Sequence, residues 1–520
     1  MGRYAAYYPF VKNNQEVFEN LLEKLKDVKD FQGKVNLACF LLYFATKHNT
    51  GYFTSSVLEK FFTDYAKSIN IKENDISYVP NSFLHVMTQG SLRGGHTRVV
   101  ERWIDNAPKT QKHSVVFTKK LKYDLSELKK NIKNKNGEYI CLDKGQSLEE
   151  KALELRRLGL SYQYVICHTD MDDPTATVAF GTEKFTRPVA FYNHASHMFW
   201  IGKSIADIVL DVINEDELTK INRNIKNAFF MGIPSKEIIY ENPQKEEIRK
   251  KLNLPTDKKI IVSAASTFKY HPIGKCNMIS LLEKIIDENT YCYVIGPSQK
   301  ERMWREAYKK SNGHITALGY VNFDAGFLNY MAAADVCLDS YPSGSATVLI
   351  DAISQATPCV SFLSFDYIKS SMAFCRTEEE YVEKALKILN DKVYAAKVLE
   401  DLQMNLKKYQ SKEAWQEQIK KLLQIMPETH HVLDLSGEKD YHEIADISVS
   451  CNIMTDKQFL KRKSHKLNPK IEPENLATLG VLMNREGIPY IFEILKYQNY
   501  QGITKLFKVF GIKLPFQIKK

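Results

Sequence analysis

The stretch Leu338-Asp339-Ser340-Tyr341-Pro342-Ser343-Gly344-Ser345-Ala346-Thr347-Val348-Leu349-Ile350-Asp351-Ala352 decides how this chain is read. A mostly apolar, strand-like run from Ala334 to Leu338 enters it. An amphipathic, helix-like run leaves it and ends at Ala356-Thr357-Pro358. Between them sits a small loop rich in hydroxyl groups. Such a loop aims backbone N–H groups and Ser and Thr hydroxyls at one spot near a helix N-terminus. Unpaired amides and the helix dipole both favour an anion there. Asp351, one helical turn further on, is placed to hold a neutral sugar hydroxyl beside the phosphates. The loop reads as a cradle for a nucleotide-sugar diphosphate.

Upstream, short apolar runs alternate with helical stretches. The runs are Ile260 to Ala264, Tyr291 to Ile295, Ile315 to Ala317, Val336 to Leu338 and Cys359 to Phe362. Helices fit at Cys276 to Ile286, Lys300 to Lys310, Ala325 to Ala333 and Val348 to Gln355. A similar alternation precedes it, with strands at Phe83 to Thr88, Ser114 to Thr118, Tyr164 to His168, Pro188 to Tyr192 and Ile208 to Asp211. Both patterns predict a parallel sheet covered by helices. The segment Arg223 to Pro255 is read as the linker between two α/β units. Before Asn74 the spacing is helical throughout, including Val35 to Thr46 and Ser55 to Ile69.

With 520 residues the chain suggests two or three domains. Hydrophobic content of 44% with 26% charge excludes a disordered chain. No apolar run reaches the roughly 18 residues that suggest a membrane span. The start, Met1 to Pro9, lacks a signal-peptide core, and Ala6 argues against myristoylation at Gly2. Nine cysteines with no Cys-x-x-Cys pair fit reduced thiols, so a cytoplasmic protein is expected. Of the net charge of +10, most lies after Thr455, where 13 Lys or Arg face 5 Asp or Glu. That placement disfavours general nucleic-acid binding and suggests a local basic surface.

Three further segments carry chemistry. Phe83 to Val100 is a strand, a glycine-rich loop and a helix. There Gly94-Gly95 lets the backbone approach a diphosphate, while His96 and Thr97 start the helix. Ile260 to Lys275 is a strand running into a loop with Lys269 and Lys275, cations able to stabilise a departing diphosphate. Leu318-Gly319-Tyr320-Val321 is a strand-end turn whose backbone near Tyr320-Val321 can meet a nucleobase edge.

Together these segments resemble the GT-B glycosyltransferases, two facing Rossmann-like domains with the active site between them. The similarity covers roughly Val79 to Pro427. It rests on Gly94-Gly95, Lys269, the Leu318-Gly319-Tyr320 turn and the Ser343-to-Asp351 loop before Pro358. The glycogen-synthase-like branch usually carries two glutamates eight residues apart in its cradle; here Ser343 and Asp351 stand there. The hydroxyl-rich loop also looks like that of the O-GlcNAc-transferase and bacterial N-glycosyltransferase branch.

The expected division is a helical segment over 1–77, an acceptor-side Rossmann-like domain over 78–230, a nucleotide-sugar domain over 231–427 and a basic, partly helical extension over 428–520; the resemblance covers the two middle parts. Gly344, Ser345, Ala346 and Thr347 would cradle the diphosphate, Asp351 the ribose, and Lys269 would act catalytically. Asp170 is the preferred general base if the reaction inverts, with His194 as the alternative or as a hydrogen-bond donor to the transferring sugar. His194 and His197 have metal-ligand spacing on a helix expected near Ala195, but no third ligand follows, and the fold typically needs no metal.

The expected partners are a nucleotide sugar, UDP-linked, and a glycan, lipid-linked or protein acceptor. No cofactor or nucleic acid is expected. The tail has two readings, a packed helix or a contact with anionic membrane through Lys461-Arg462-Lys463 and Phe507/Phe510. The rivals are a sugar-nucleotide 2-epimerase, a phosphorylase, or a non-catalytic partner of an active transferase.

Overall fold

The computed structural model describes residues 8–47, 49–69, 76–91, 95–142, 145–213, 216–235, 244–272, 275–322, 326–363, 365–433 and 435. Two all-parallel sheets organise them. The first joins β1 (Val79–Met87), β2 (Lys112–Phe117), β3 (Tyr139–Cys141), β4 (Tyr162–His168), β5 (Val189–Asn193), β6 (Ile208–Asp211) and β7 (Ala228–Phe230) in the order β3-β2-β1-β4-β5-β6-β7. The second joins β8 (Lys259–Ala264), β9 (Thr290–Ile295), β10 (Ile315–Gly319), β11 (Val336–Leu338) and β12 (Cys359–Val360) in the order β10-β9-β8-β11-β12.

The inner strands read as nearly continuous apolar runs because helices cover both faces. Val165, Ile166 and Cys167 in β4 are buried in succession, as are Ile260, Ile261 and Val262 in β8. The runs predicted from sequence fall on these strands. Two edge strands escape the pattern. Only three residues each, and half-buried along their length, β3 and β7 offer no alternation to read. The stretch read as a linker from Arg223 thus first supplies β7 to the first sheet.

Helices Tyr8–Asp27, Phe31–Lys47 and Ser56–Ser68 pack on the first sheet, where Phe18, Leu41 and Phe62 share a core with Leu84, Val86 and Val165. Ser55 caps the third, accepting from the Leu58 amide. Glu59 is fully buried on its inner face. Its carboxylate accepts the amides of Gly202 (2.7 Å), Lys203 (3.0 Å) and Ser204 (3.3 Å), together with the Ser204 hydroxyl. Burial pushes its carboxyl up, opposed by those donors.

At the other end, the chain returns to the first sheet. In helix Lys412–Ile425, Trp415 meets Trp103 edge-on at 5.2 Å, and Gln416 donates to the Asn106 carbonyl at 2.7 Å. Beyond it, buried His430 contacts Asp207 at 2.8 Å. The basic run after Thr455, with Lys461-Arg462-Lys463 and Phe507/Phe510, lies outside the described residues. Among those described, no helix is long and apolar enough to cross a membrane.

Candidate active site

In each sheet the chain works out to one edge and then returns past its first strand, so the strand order reverses between β1 and β4 and again between β8 and β11. Loops leaving the C-terminal ends of such strands diverge and leave a crevice for ligands. Loops bearing residues picked from the sequence leave those four strands. Thr88 to Ser91 follows β1, Thr169 to Asp173 follows β4, the turn Thr267–Tyr270 follows β8, and Asp339 to Ser345 follows β11.

On the second sheet, the Lys269 ammonium donates to the Gly344 carbonyl at 2.5 Å, and the Ser343 amide donates back to the Lys269 carbonyl at 3.2 Å. The lysine and the cradle are therefore adjacent. Asp339, buried beneath them, accepts the Ser345 amide at 2.7 Å, the Ser340 amide at 2.8 Å and the Ser361 hydroxyl at 2.6 Å. Burial pushes the Asp339 carboxyl up, opposed by these donors and by Lys269. The loop thus folds around a carboxylate, and the Ser345 amide is engaged within it. That leaves the amides of Ala346 and Thr347 at the start of helix Ala346–Ser354, which has no side-chain cap. Gly344 is required by packing, since a Cβ there would lie 2.5 Å from both Asp339 Oδ2 and Leu363 Cδ2.

Asp351 sits differently from the open ribose contact expected. It is 5% exposed. Arg98 Nη1 donates to one carboxylate oxygen at 3.1 Å and Arg102 Nη2 to the other at 2.9 Å. Both arginines come from helix Gly95–Asn106 on the first domain. The same helix reaches the interdomain segment, Asn106 donating to the Ser235 carbonyl at 3.0 Å. The cradle helix is therefore clasped to the opposite side of the cleft.

Gly95 and His96 open that helix; Gly94 lies outside the described residues. The His96 ring stacks on His194 at 4.0 Å, and its Nδ1 is 3.9 Å from Asp170. Burial pushes the His96 imidazolium down to about 4. Asp170 accepts from Gln89 at 3.0 Å, while its own amide donates to the Thr88 hydroxyl at 2.8 Å. Burial, reinforced by Asp172, raises its carboxyl to about 6. Asp170, His96 and His194 thus form one cluster.

The helix expected near Ala195 is absent: residues 194–197 form a turn. Arg223 organises it instead, donating to the carbonyls of Ser196 (3.0 Å) and Met198 (2.6 Å). Among the described residues no cluster of three or more His, Cys, Asp or Glu is arranged to hold a metal. Lys275 is exposed. Tyr320 (45% exposed) and Val321 follow β10, two strands from β8 in the sheet order.

No protein-family model and no curated protein sequence matches this chain. Solved structures do. Anabaena HepE, in complex with UDP and glucose, aligns with a TM-score of 0.51 at 12% identity, covering 66% of this chain and 99% of its own. Sucrose-phosphate synthase from Thermosynechococcus elongatus aligns at 0.50 with 14% identity, covering 66% and 98%. A glycosyltransferase from Rickettsia africae aligns at 0.50 with 11% identity, covering 67% and 98%.

The chain has the GT-B fold. Within GT-B geometry the two loop sets just described lie on facing domains. One presents a lysine and a free helix N-terminus; the other presents a carboxylate and two imidazoles. The first set suits a polyanion. The second suits hydrogen bonding and proton transfer to polar hydroxyls.

Three contributing residues were not read from the sequence. Asp339 opens the hydroxyl-rich loop directly after the strand-like run, a usable signal to which no role is attached in the sequence reading. Arg98 and Arg102, four apart on one helix face, signalled a paired contact but not its partner some 250 residues away.

Proposed function

We propose that this chain is a glycosyltransferase that moves a sugar from a nucleotide-sugar donor, a UDP-sugar, to a hydroxyl or amide of a glycan, lipid-linked or protein acceptor. The observation that carries this reading is the convergence of Lys269 with the unengaged amides of Ala346 and Thr347 at the switch point of the second sheet. The diphosphate docks on those amides, the Thr347 hydroxyl and the ammonium. Lys269 exchanges the Gly344 carbonyl for phosphate oxygen as the bond to the sugar breaks. Fixed positive charge at the leaving group, rather than covalent chemistry, supplies most of the rate enhancement.

Asp351 takes the ribose hydroxyl in this reading by giving up one arginine, and Gly95 meets the phosphates from the facing domain. Tyr320 and Val321 lie toward the base, and Lys275 adds long-range positive charge. No metal or cofactor is assigned a role. The scattered cysteines, with no Cys-x-x-Cys pair, support a cytoplasmic protein of bacterial type in this reading, and the tail is left as the candidate for anionic membrane contact.

The test is calorimetric titration with UDP, followed by a panel of nucleotide sugars assayed for slow donor hydrolysis. Micromolar UDP binding and release of UDP from one donor are expected. Failure to bind any nucleoside diphosphate sinks the reading.

Asp170 supplies the general base. Its raised pKa brings it near working pH, where a carboxylate both stays ionised and takes a proton effectively. The base must be ionised, so transfer should fall about tenfold per pH unit below about 6 and level off above it. Asp170→Asn should remove that acidic limb along with most activity. An unchanged pH profile in this variant would assign the base elsewhere.

A further inference from the structure

Four buried or half-buried histidines of the first sheet are joined ring to ring. His113 on β2, His85 on β1, His168 on β4 and His194 just after β5 follow one diagonal of the sheet. The registers explain it. His113 pairs with Phe83, two residues before His85; His85 pairs with Ile166, two residues before His168. Ile166 pairs with Ala190, which puts His168 level with Tyr192, two residues before His194. Each step moves one strand across and two residues toward the cleft, keeping every ring on one face.

The contacts are all of hydrogen-bond length. His194 Nε2 lies 2.9 Å from His168 Nδ1, His168 Nε2 lies 3.1 Å from His85 Nδ1, and His85 Nε2 lies 2.9 Å from His113 Nδ1. At the far end, His113 Nε2 lies 3.2 Å from the carboxamide oxygen of Gln111. That oxygen carries no hydrogen and can only accept. His113 must therefore donate from Nε2, which leaves its Nδ1 to accept from His85 Nε2. The same logic passes to His168 and then to His194. Burial pushes all four imidazoliums down, so the rings stay neutral and each carries one N–H. The last ring then meets the cleft with a bare Nδ1 lone pair, beside His96 and the Asp170 cluster.

We propose that Gln111, His113, His85 and His168 form a polarised hydrogen-bonded chain that fixes His194 as its Nε2–H tautomer, presenting Nδ1 as an obligate acceptor for a hydroxyl of the bound sugar. The four are positioning residues; only His194 reaches the cleft. Neutral and weakly basic, His194 orients a hydroxyl and leaves proton removal to Asp170. The identity of the hydroxyl rests on the transferase reading above. The direction of the chain does not.

Gln111 is half-buried just before β2, so it can be changed without opening the core. Gln111→Glu keeps an acceptor. Gln111→Lys replaces it with a group that can only donate, and should switch the tautomer of every ring in place, leaving His194 with Nδ1–H. The readout is the tautomer of each ring, from long-range proton–nitrogen NMR of the full chain labelled at histidine nitrogens.

Wild type and Gln111→Glu should show Nε2–H at all four rings. Gln111→Lys should show Nδ1–H, with UDP affinity unchanged and transfer reduced about tenfold, the loss of one hydrogen bond at the reacting sugar. A merely structural Gln111 would not separate lysine from glutamate in this way. A protonated His194 Nδ1 in the wild type, or tautomers unmoved by Gln111→Lys, overturns the proposal. Absence of UDP binding to the wild type overturns the transferase reading instead, while the tautomers still decide the chain.

Discussion

Lys269→Ala is expected to lower turnover by about 10²–10³-fold, the range seen when one preorganised donor to a developing negative charge is removed. The ammonium contacts the Gly344 carbonyl of the cradle loop and lies close enough to oppose the rise in the Asp339 carboxyl. Its contribution grows as charge passes to the diphosphate, so kcat should fall much more than UDP affinity. Single-turnover kinetics beside UDP titration separates the two. The fold should survive, because the Asp339 hydrogen bonds to Ser340, Ser345 and Ser361 hold the loop without the lysine. Near-normal turnover in the variant would remove Lys269 from the chemistry.

Asp351→Ala should produce the largest loss of stability, about 3–5 kcal/mol, the cost of stripping the partner from a buried charge. The Arg102 side chain is 3% exposed and loses its carboxylate, keeping only a long contact to the Pro234 carbonyl at 3.4 Å. Arg98, at 21% exposure, can turn to water and should matter less. Removing both charges is a different case, since apolar replacement of a buried pair is often nearly neutral. The double variant Asp351→Ala, Arg102→Met should therefore recover much of the loss. Denaturant melts of the two single variants and the double give the coupling directly. Additive losses would mean that the clasp is open in solution.

Where the fold was legible, period was the reason. Buried parallel strands leave unbroken apolar runs, and Val165 to Cys167 or Ile260 to Val262 announce themselves without a partner. The cradle was legible because a strand, a small hydroxyl-rich loop and a helix follow one another locally. What escaped depends on residues far apart in the chain. Asp351 reads as a free acid until helix Gly95–Asn106 delivers its arginines. The spacing of His194 and His197 suggested a helix, yet Arg223 ties the backbone into a turn. His85 and His113 pass as polar residues in strands until sheet register aligns them. The edge strands β3 and β7 are too short for any periodic signal.

The boundary suggested near residue 77 has a consequence for how this protein is built. Glu59 reaches across it to the amides of residues 202–204, and the Phe53 carbonyl takes the Trp200 amide at 3.1 Å. The Phe53 ring also lies 5.0 Å from the guanidinium of Arg223, whose other contacts shape the turn after His194. The helical segment is thus built into the first domain rather than appended to it. It and the wall behind the cleft form one module, and a change on either side of residue 77 has to be accommodated by the other.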